Sequence, residues 1–168
     1  MTMTEIRSLF AFNDWANART FDAIGALSID QLTKDLGASF PSVLLTAAHI
    51  VGAEWIWLQR WISSGPSGFP EWAKTPELGD VRTRLRDVEH DRANYLSGLP
   101  ESAATSVVAF KLLNGTEDRQ PLDVMARHVV NHSTYHRGQI AAFLRQLGVK
   151  PPSTDLILYA REVAHRNG

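Results

Sequence analysis

Apolar residues near the start of the chain recur at intervals of mostly three and four: Ile6, Leu9, Phe10, Phe12, Trp15, Ala16, Ala18, Phe21, Ile24 and Leu27. That period places them along one face of an amphipathic helix. The sequence predicts it from about Thr4, as the cap with Glu5 just inside, to about Leu27. The polar stretch Ser28 to Ser39 carries Gly37 and reads as a connection. A second helix is expected from about Pro41 to Ile62, capped by Ser39 or Ser42, with Pro41 tolerated in its first turn. Its segment SVLLTAAHIVGAEWIWLQRWI is apolar on nearly all sides, as in a helix that is mostly buried or lies at an interface. SSGPSGFPEWAKTP, rich in Gly, Pro and Ser, reads as a loop.

A third, more polar helix is expected from about Glu77 to Leu99, with Leu78, Val81, Leu85, Val88, Tyr95 and Leu96 as its apolar stripe and Pro100 as its stop. Val107, Val108 and Phe110 favour extended backbone and Asn114–Gly115 favours a tight turn, which predicts a short hairpin or an extended loop. Pro121 fits the first turn of a fourth helix, PLDVMARHVVNHSTYHRGQIAAFLRQLG, stopped by Gly148 and then by Pro151–Pro152. Ser153 caps a last short helix, about Thr154 to His165. Four long helices with short links predict an all-α fold, a four-helix bundle. At 168 residues the chain is the size of one domain, residues 1–168, and a domain of this size builds a core without disulfides.

The charge balance, 17 Lys+Arg against 18 Asp+Glu for a net charge of −1, excludes a protein whose overall charge coats a polyanion, so no nucleic-acid partner is expected. No segment has the makings of a signal peptide or a membrane span, so a cytoplasmic protein without a membrane partner is expected. There is no cysteine, which removes thiolate ligands, cysteine nucleophiles and iron–sulfur clusters. The six histidines are the remaining chemical feature.

His128, His132 and His136 fall at i, i+4 and i+8 of the fourth helix. Each step of four turns the position by about 40° and raises it by about 6 Å, so the three form one stripe. Two histidines one turn apart grip a transition metal, whereas His128 and His136, about 12 Å apart along the axis, do not share one ion readily. Spacing alone therefore leaves two pairs open, His128 with His132 and His132 with His136. His49, set among Ala47, Ala48, Ile50 and Val51, is the natural third ligand, because an imidazole in so apolar a helix needs partners. Three histidines from two helices would leave open coordination positions, as catalytic sites do.

Other motifs are absent. HSTYH has no Glu after the first His, so it is not HExxH. The one Glu-x-x-His pair, Glu162 with His165, falls short of a ferritin-like di-iron set and reads as a surface feature. Ser133 and Thr134 lack a nucleophile-elbow context. His90, among Asp87, Glu89, Asp91 and Arg92, reads as part of a solvated face, as do Arg82, Arg84 and Arg86. Trp15 reads as core, and at least two of Trp55, Trp57 and Trp61 as core or interface.

FNDWANART, SVLLTAAHIVGAEWIWLQRW and above all HVVNHSTYHRGQIAAFLRQLGVKPPSTDLILY resemble the DinB/YfiT-like family of metalloenzymes over nearly the whole chain. The resemblance implies an up-down-down-up bundle with one divalent metal, zinc or nickel, with iron and manganese open. It maps the ligands to His49, His132 and His136 and leaves His128 as an accessory residue. It implies a homodimer, for which an exposed apolar face with Trp55, Trp57 and Trp61 is a candidate. It also implies a small-molecule substrate and an S-transferase chemistry in which the metal activates a low-molecular-weight thiol. The alternatives are a metal-dependent hydrolase, a non-catalytic metal-binding or stress-response module, and a helical interaction protein whose histidines satisfy one another. Asn131 and Tyr135 lie off the ligand stripe and are not expected in the site.

Overall fold

A computed structural model describes residues 1–63 and 65–167; Ser64, in the expected loop, and Gly168 lie outside the described residues. Four long helices form, α1 (Met3–Ile24), α3 (Val43–Ile62), α4 (Leu78–Ser97) and α5 (Leu122–Gln146), with short helices α2 (Ile29–Thr33) and α6 (Leu156–Asn167). Strands β1 (Val107–Lys111) and β2 (Glu117–Pro121) make an antiparallel hairpin between α4 and α5. Among the described residues no helix is long and apolar enough to cross a membrane.

The caps move several expected boundaries. α1 starts at a capping box: the Thr2 hydroxyl accepts from the Glu5 N–H, and the Glu5 carboxylate accepts from the Thr2 N–H. Two orphan donors are met at once, so Thr2 rather than Thr4 is the cap, and α1 ends at Ile24 rather than Leu27. Ser28 and Gln31 make a second capping box, so α2 occupies part of the expected connection. Ser42 caps α3, and Pro41 lies outside it rather than in its first turn. Pro121 closes β2 and caps α5, where the expected helix already included it. α6 begins after Asp155, whose carbonyl accepts from Leu158 and Tyr159. The Ser153 hydroxyl donates to the Asp155 carboxylate (2.7 Å) rather than capping the helix.

Contacts at the helix ends fix the directions. Arg7, early in α1, donates to the carbonyls of Leu96, in the last turn of α4, and Leu99, just after it, while Arg82, early in α4, donates to Phe21. Phe10 of α1 packs against Trp61 at the end of α3, whose carbonyl accepts from Tyr95 late in α4. α3 and α4 therefore run parallel to each other and antiparallel to α1. The Met1 ammonium on Asp123 sets α5 parallel to α1. The bundle is up-down-down-up, with α1 and α3 on one diagonal and α4 and α5 on the other.

The core consists of two apolar clusters. One holds Phe10, Leu58, Trp61, Leu96, Met125 and Val129; the other holds Phe21, Val43, Ile50, Val81, Ile140 and Leu144. A polar layer lies between them. Glu54 of α3, 2% exposed, accepts at Oε1 from Asn13, Asn17 and Ser133 (2.8, 2.9 and 2.8 Å) and at Oε2 from Arg92 (2.5 Å). Arg92 also donates to Asp14. Arg137 donates to the Oδ1 atoms of Asn13 and Asn17 (2.8 and 2.7 Å), so the two amides relay between a buried cation and a buried anion. Burial alone would raise the Glu54 pKa, but Arg92 and the three neutral donors hold it below the ordinary carboxylate value. Beside this layer, burial and then the charges of Asp14 and Glu54 push the Glu89 carboxyl up to about 8, and its Oε1 is buried without a hydrogen-bond partner.

The structure corrects four readings. Arg92 and Glu89 belong to the interior side of α4, not to the solvated face that His90 does occupy. Trp61 is buried and Trp57 lies under Arg60 and Phe110, so Trp55, Trp57 and Trp61 do not form one exposed apolar face. Glu162 is not merely a surface group, because it accepts from Trp15 Nε1 (2.9 Å) and Arg19 (3.4 Å) and ties α6 to α1. Trp15 is half-buried against this contact rather than fully in the core.

Two outcomes are expected. Glu54→Gln leaves buried cations short of a counter-charge and is expected to cost about 3–5 kcal/mol in urea unfolding; a cost below about 1 kcal/mol would contradict the layer's role. Glu89 has a native pKa raised from 4.5 to about 8. Its contribution to stability is thus full below pH 4.5 and lost as the pH rises through 8. Glu89→Gln is expected to flatten the fall in unfolding free energy between pH 6 and pH 8.5. An unchanged slope would show that Glu89 is ionised in the native state.

Candidate metal centre

The polar layer also sets the register of the histidines. Ser133, which donates to Glu54, is the neighbour of His132, and Glu54 lies on the same helix as His49, in the turn after it. With α3 and α5 antiparallel and locked at this contact, His49 meets His132 and His136. The Nε2 atoms of His49 and His132 are 3.1 Å apart, as are those of His136 and His132. Taking one ring nitrogen from each, all three lie within 4.8 Å of one another. His136 is buried, while His49 and His132 are half-buried. His49 is thus only half-buried, with its Nε2 toward His132 and its ring against Phe40 and Phe69.

The donor set fits a metal ion. Ligands about 2.0–2.1 Å from an ion at tetrahedral or adjacent octahedral positions stand about 2.9–3.4 Å apart, and the two contacts of His132, 3.1 Å each, fall in that range. His136 Nδ1 lies 2.7 Å from Gln139 Oε1, an acceptor only, so Nδ1 carries the proton and Nε2 keeps its lone pair. His132 Nε2 faces two imidazole nitrogens and has at most one proton to share. A single proton on His132 Nε2 cannot make two full hydrogen bonds, so one of the two short contacts is poorly met, and a cation at their focus removes that shortfall. Burial, then repulsion from His136 and His132, lowers the His49 pKa to about 3. Burial, then His136 and His128, lowers that of His132 to about 4. Burial also lowers His136, partly offset by Gln139. The rings are neutral at pH 7, the form that metals bind.

His128 is not in the cluster. It is exposed, its ring is 5.9 Å from that of His132, and it packs edge-on against Trp57 (4.8 Å). Asn131 and Tyr135 are exposed off the stripe, as the helical positions imply, although the Tyr135 ring does touch that of His136 edge-on at 5.1 Å. Three features had escaped sequence reasoning: Phe40 and Phe69, which stack on His49 (3.9 and 5.5 Å), and Gln139. Gln139, at i+3 from His136, was within reach of helical spacing. The two phenylalanines come from loops and had no periodic signature.

Comparison with known proteins follows the same outline. The model of the DinB family matches residues 1–166. Protein DinB of Bacillus subtilis is 27% identical over 165 residues, covering 90% of this chain and 91% of that protein. A DinB-like protein from Bacillus cereus superposes with a TM-score of 0.71 at 19% identity, covering 90% of this chain and 97% of its own. YfiT from Bacillus subtilis, described as a probable metal-dependent hydrolase with an unusual four-helix bundle topology, gives a TM-score of 0.69 at 13% identity, covering 89% and 91%. At these identities the two structures bear on the fold.

Long-range proton–nitrogen NMR spectra of the metal-free protein at pH 7 are expected to show His136 as the Nδ1–H tautomer, with Gln139→Leu abolishing that preference. An Nε2–H tautomer of His136 in the unsubstituted protein would contradict the assignment.

Proposed function

The chain belongs to the DinB family, and from that premise we propose a metal-dependent enzyme. In it His49, His132 and His136 hold one divalent transition-metal ion, and a low-molecular-weight thiol is transferred to a small electrophile. The observation that carries this reading is the convergence of the three Nε2 atoms, His132 standing 3.1 Å from each of the others. Imidazole donors suit zinc, copper, iron and nickel alike, and we assign zinc or nickel from the family resemblance. An ion held by three imidazoles keeps open positions and supplies the Lewis acidity that makes a thiol or a water molecule nucleophilic at neutral pH.

The chain's own groups do the rest. Having no cysteine, it leaves the thiol to the co-substrate. Gln139 holds His136 in the tautomer that presents Nε2. His128 stands one turn before His132; its partial burial against Trp57, and then the Arg60 cation, hold its pKa below the ordinary value. We assign it an accessory place beside the centre, its ring 5.9 Å from that of His132. The same centre serves hydrolysis if water takes the place of the thiol. The likeness to YfiT, described as a probable metal-dependent hydrolase, favours that second reading.

The test is to load the protein with Zn²⁺ or Ni²⁺ and follow an epoxide or an activated aryl halide with and without a small thiol. Consumption that requires the thiol and falls to background in His132→Ala is the expected result. Consumption without thiol would replace the transferase by the hydrolase. Metal binding with neither activity would overturn the enzymatic reading in favour of a binding module.

A further inference from the structure

His49 differs from His136 in how its ring is held. His136 is fixed by the hydrogen bond from Nδ1 to Gln139. Among the described residues no hydrogen bond reaches His49 Nδ1, and only its Nε2 is engaged, toward His132. A metal-ligating imidazole normally has its second nitrogen fixed by an acceptor, which sets the ring plane. Here the plane is set by aromatic faces. The Phe40 ring lies 3.9 Å from the imidazole at 23°, and the Phe69 ring 5.5 Å from it at 15°. Both rings lie close to parallel with the imidazole, and no ring contact joins the two phenylalanines. Phe40 also meets His136 edge-on at 5.6 Å.

These rings come from two different connections, Phe40 from the segment before α3 and Phe69 from the loop after it. Phe69 reaches His49 by lying over Gly52, one turn further along α3. A Cβ built on Gly52 would stand 2.5 Å from Phe69 Cζ and 2.8 Å from Cε1, closer than real contacts allow. Glycine is a poor helix former, and Gly52 is the only glycine in α3. Its place is explained by the ring that occupies the space of its missing side chain.

We propose that Phe40 and Phe69 are positioning residues that clamp the His49 imidazole with Nε2 toward His132 and His136, and that Gly52 admits Phe69 to the clamp. This rests on the metal-site reading above. It links both loops flanking α3 to the affinity of the centre, because a displaced Phe69 frees a ligand to rotate away.

The test measures Zn²⁺ affinity by competition with a chromogenic chelator, together with the visible spectrum of the Co²⁺-loaded protein. Phe69→Ala, Phe40→Ala and Gly52→Ala are each expected to weaken Zn²⁺ binding about 10- to 100-fold, the usual effect of losing a ligand's support. Each is also expected to alter the Co²⁺ bands while leaving helix content unchanged. Phe69→Tyr, which keeps the ring, is expected to bind within about threefold of the unsubstituted protein, well inside that range. Gly52→Ala separates positioning from stability, since it keeps both rings and raises helix propensity; weaker binding by an equally or more stable protein is the clamp's signature. Unchanged affinity and Co²⁺ spectra in all three variants would overturn the proposal. If the unsubstituted protein binds no Zn²⁺, the metal reading fails by itself, and the clamp is read from NMR of the His49 ring protons. Stacking shifts that vanish in Phe69→Ala uphold it, and identical spectra overturn it.

Discussion

A carboxylate buried among four helices has to have its lone pairs met, and Glu54 meets them in only one register of this bundle. It takes Asn13 and Asn17 from α1, Arg92 from α4 and Ser133 from α5. Sliding α3 against α5 by one turn would strip the carboxylate of Ser133 and carry His49 away from His132. Buried polar layers of this kind contribute little net stability against an apolar core of equal volume. Their effect is on specificity, because every misregistered packing leaves a charge without its partner. The parallel pair α3 and α4 makes this constraint more pressing, since a long connection must bring the chain back before α4 starts.

The candidate centre is built on that layer and placed toward the surface. Its inner side is rigid, with Ser133 and Arg137 of α5 bonded into the core on either side of His136. Its outer side is made of loops, which supply Phe40 and Phe69. Ligands on helices with aromatic loops above them let a fixed donor set be combined with a changeable mouth.

Much of this was legible in the residues. The three-and-four spacing located α1, the all-round apolar run α3, the apolar stripe before Pro100 α4, and Pro121 with Gly148 α5, while Asn114–Gly115 marked the hairpin. α2 escaped because five residues are too few for a period; only the pair Ser28 and Gln31 marked it. The α1 start was misplaced by two residues because Thr2 and Thr4 both precede the apolar stripe, and Glu5 pairs with Thr2 at capping-box spacing. For the site, helical spacing brought His128, His132 and His136 onto one stripe but treated the two adjacent pairs alike. Family resemblance chose His132 with His136, and only the position of α3 puts His49 beside that pair. Glu54 was visible as the lone acid in an apolar helix, yet its partners come from three other helices, and no local pattern names them. Arg92 was misread for the same reason, since Asp87, His90 and Asp91 beside it in sequence face water while it faces the core.

The central claim is that the three imidazoles together hold one divalent ion. It is tested most directly by elemental analysis of untagged protein beside His132→Ala, with circular dichroism to confirm that the variant keeps its helices. The account predicts about one transition-metal ion per chain in the first and a loss of it in the second, because His132 is the nitrogen common to both short contacts. Stoichiometric metal retained by a folded His132→Ala, or no uptake of Zn²⁺ or Ni²⁺ by the unsubstituted protein, would contradict it.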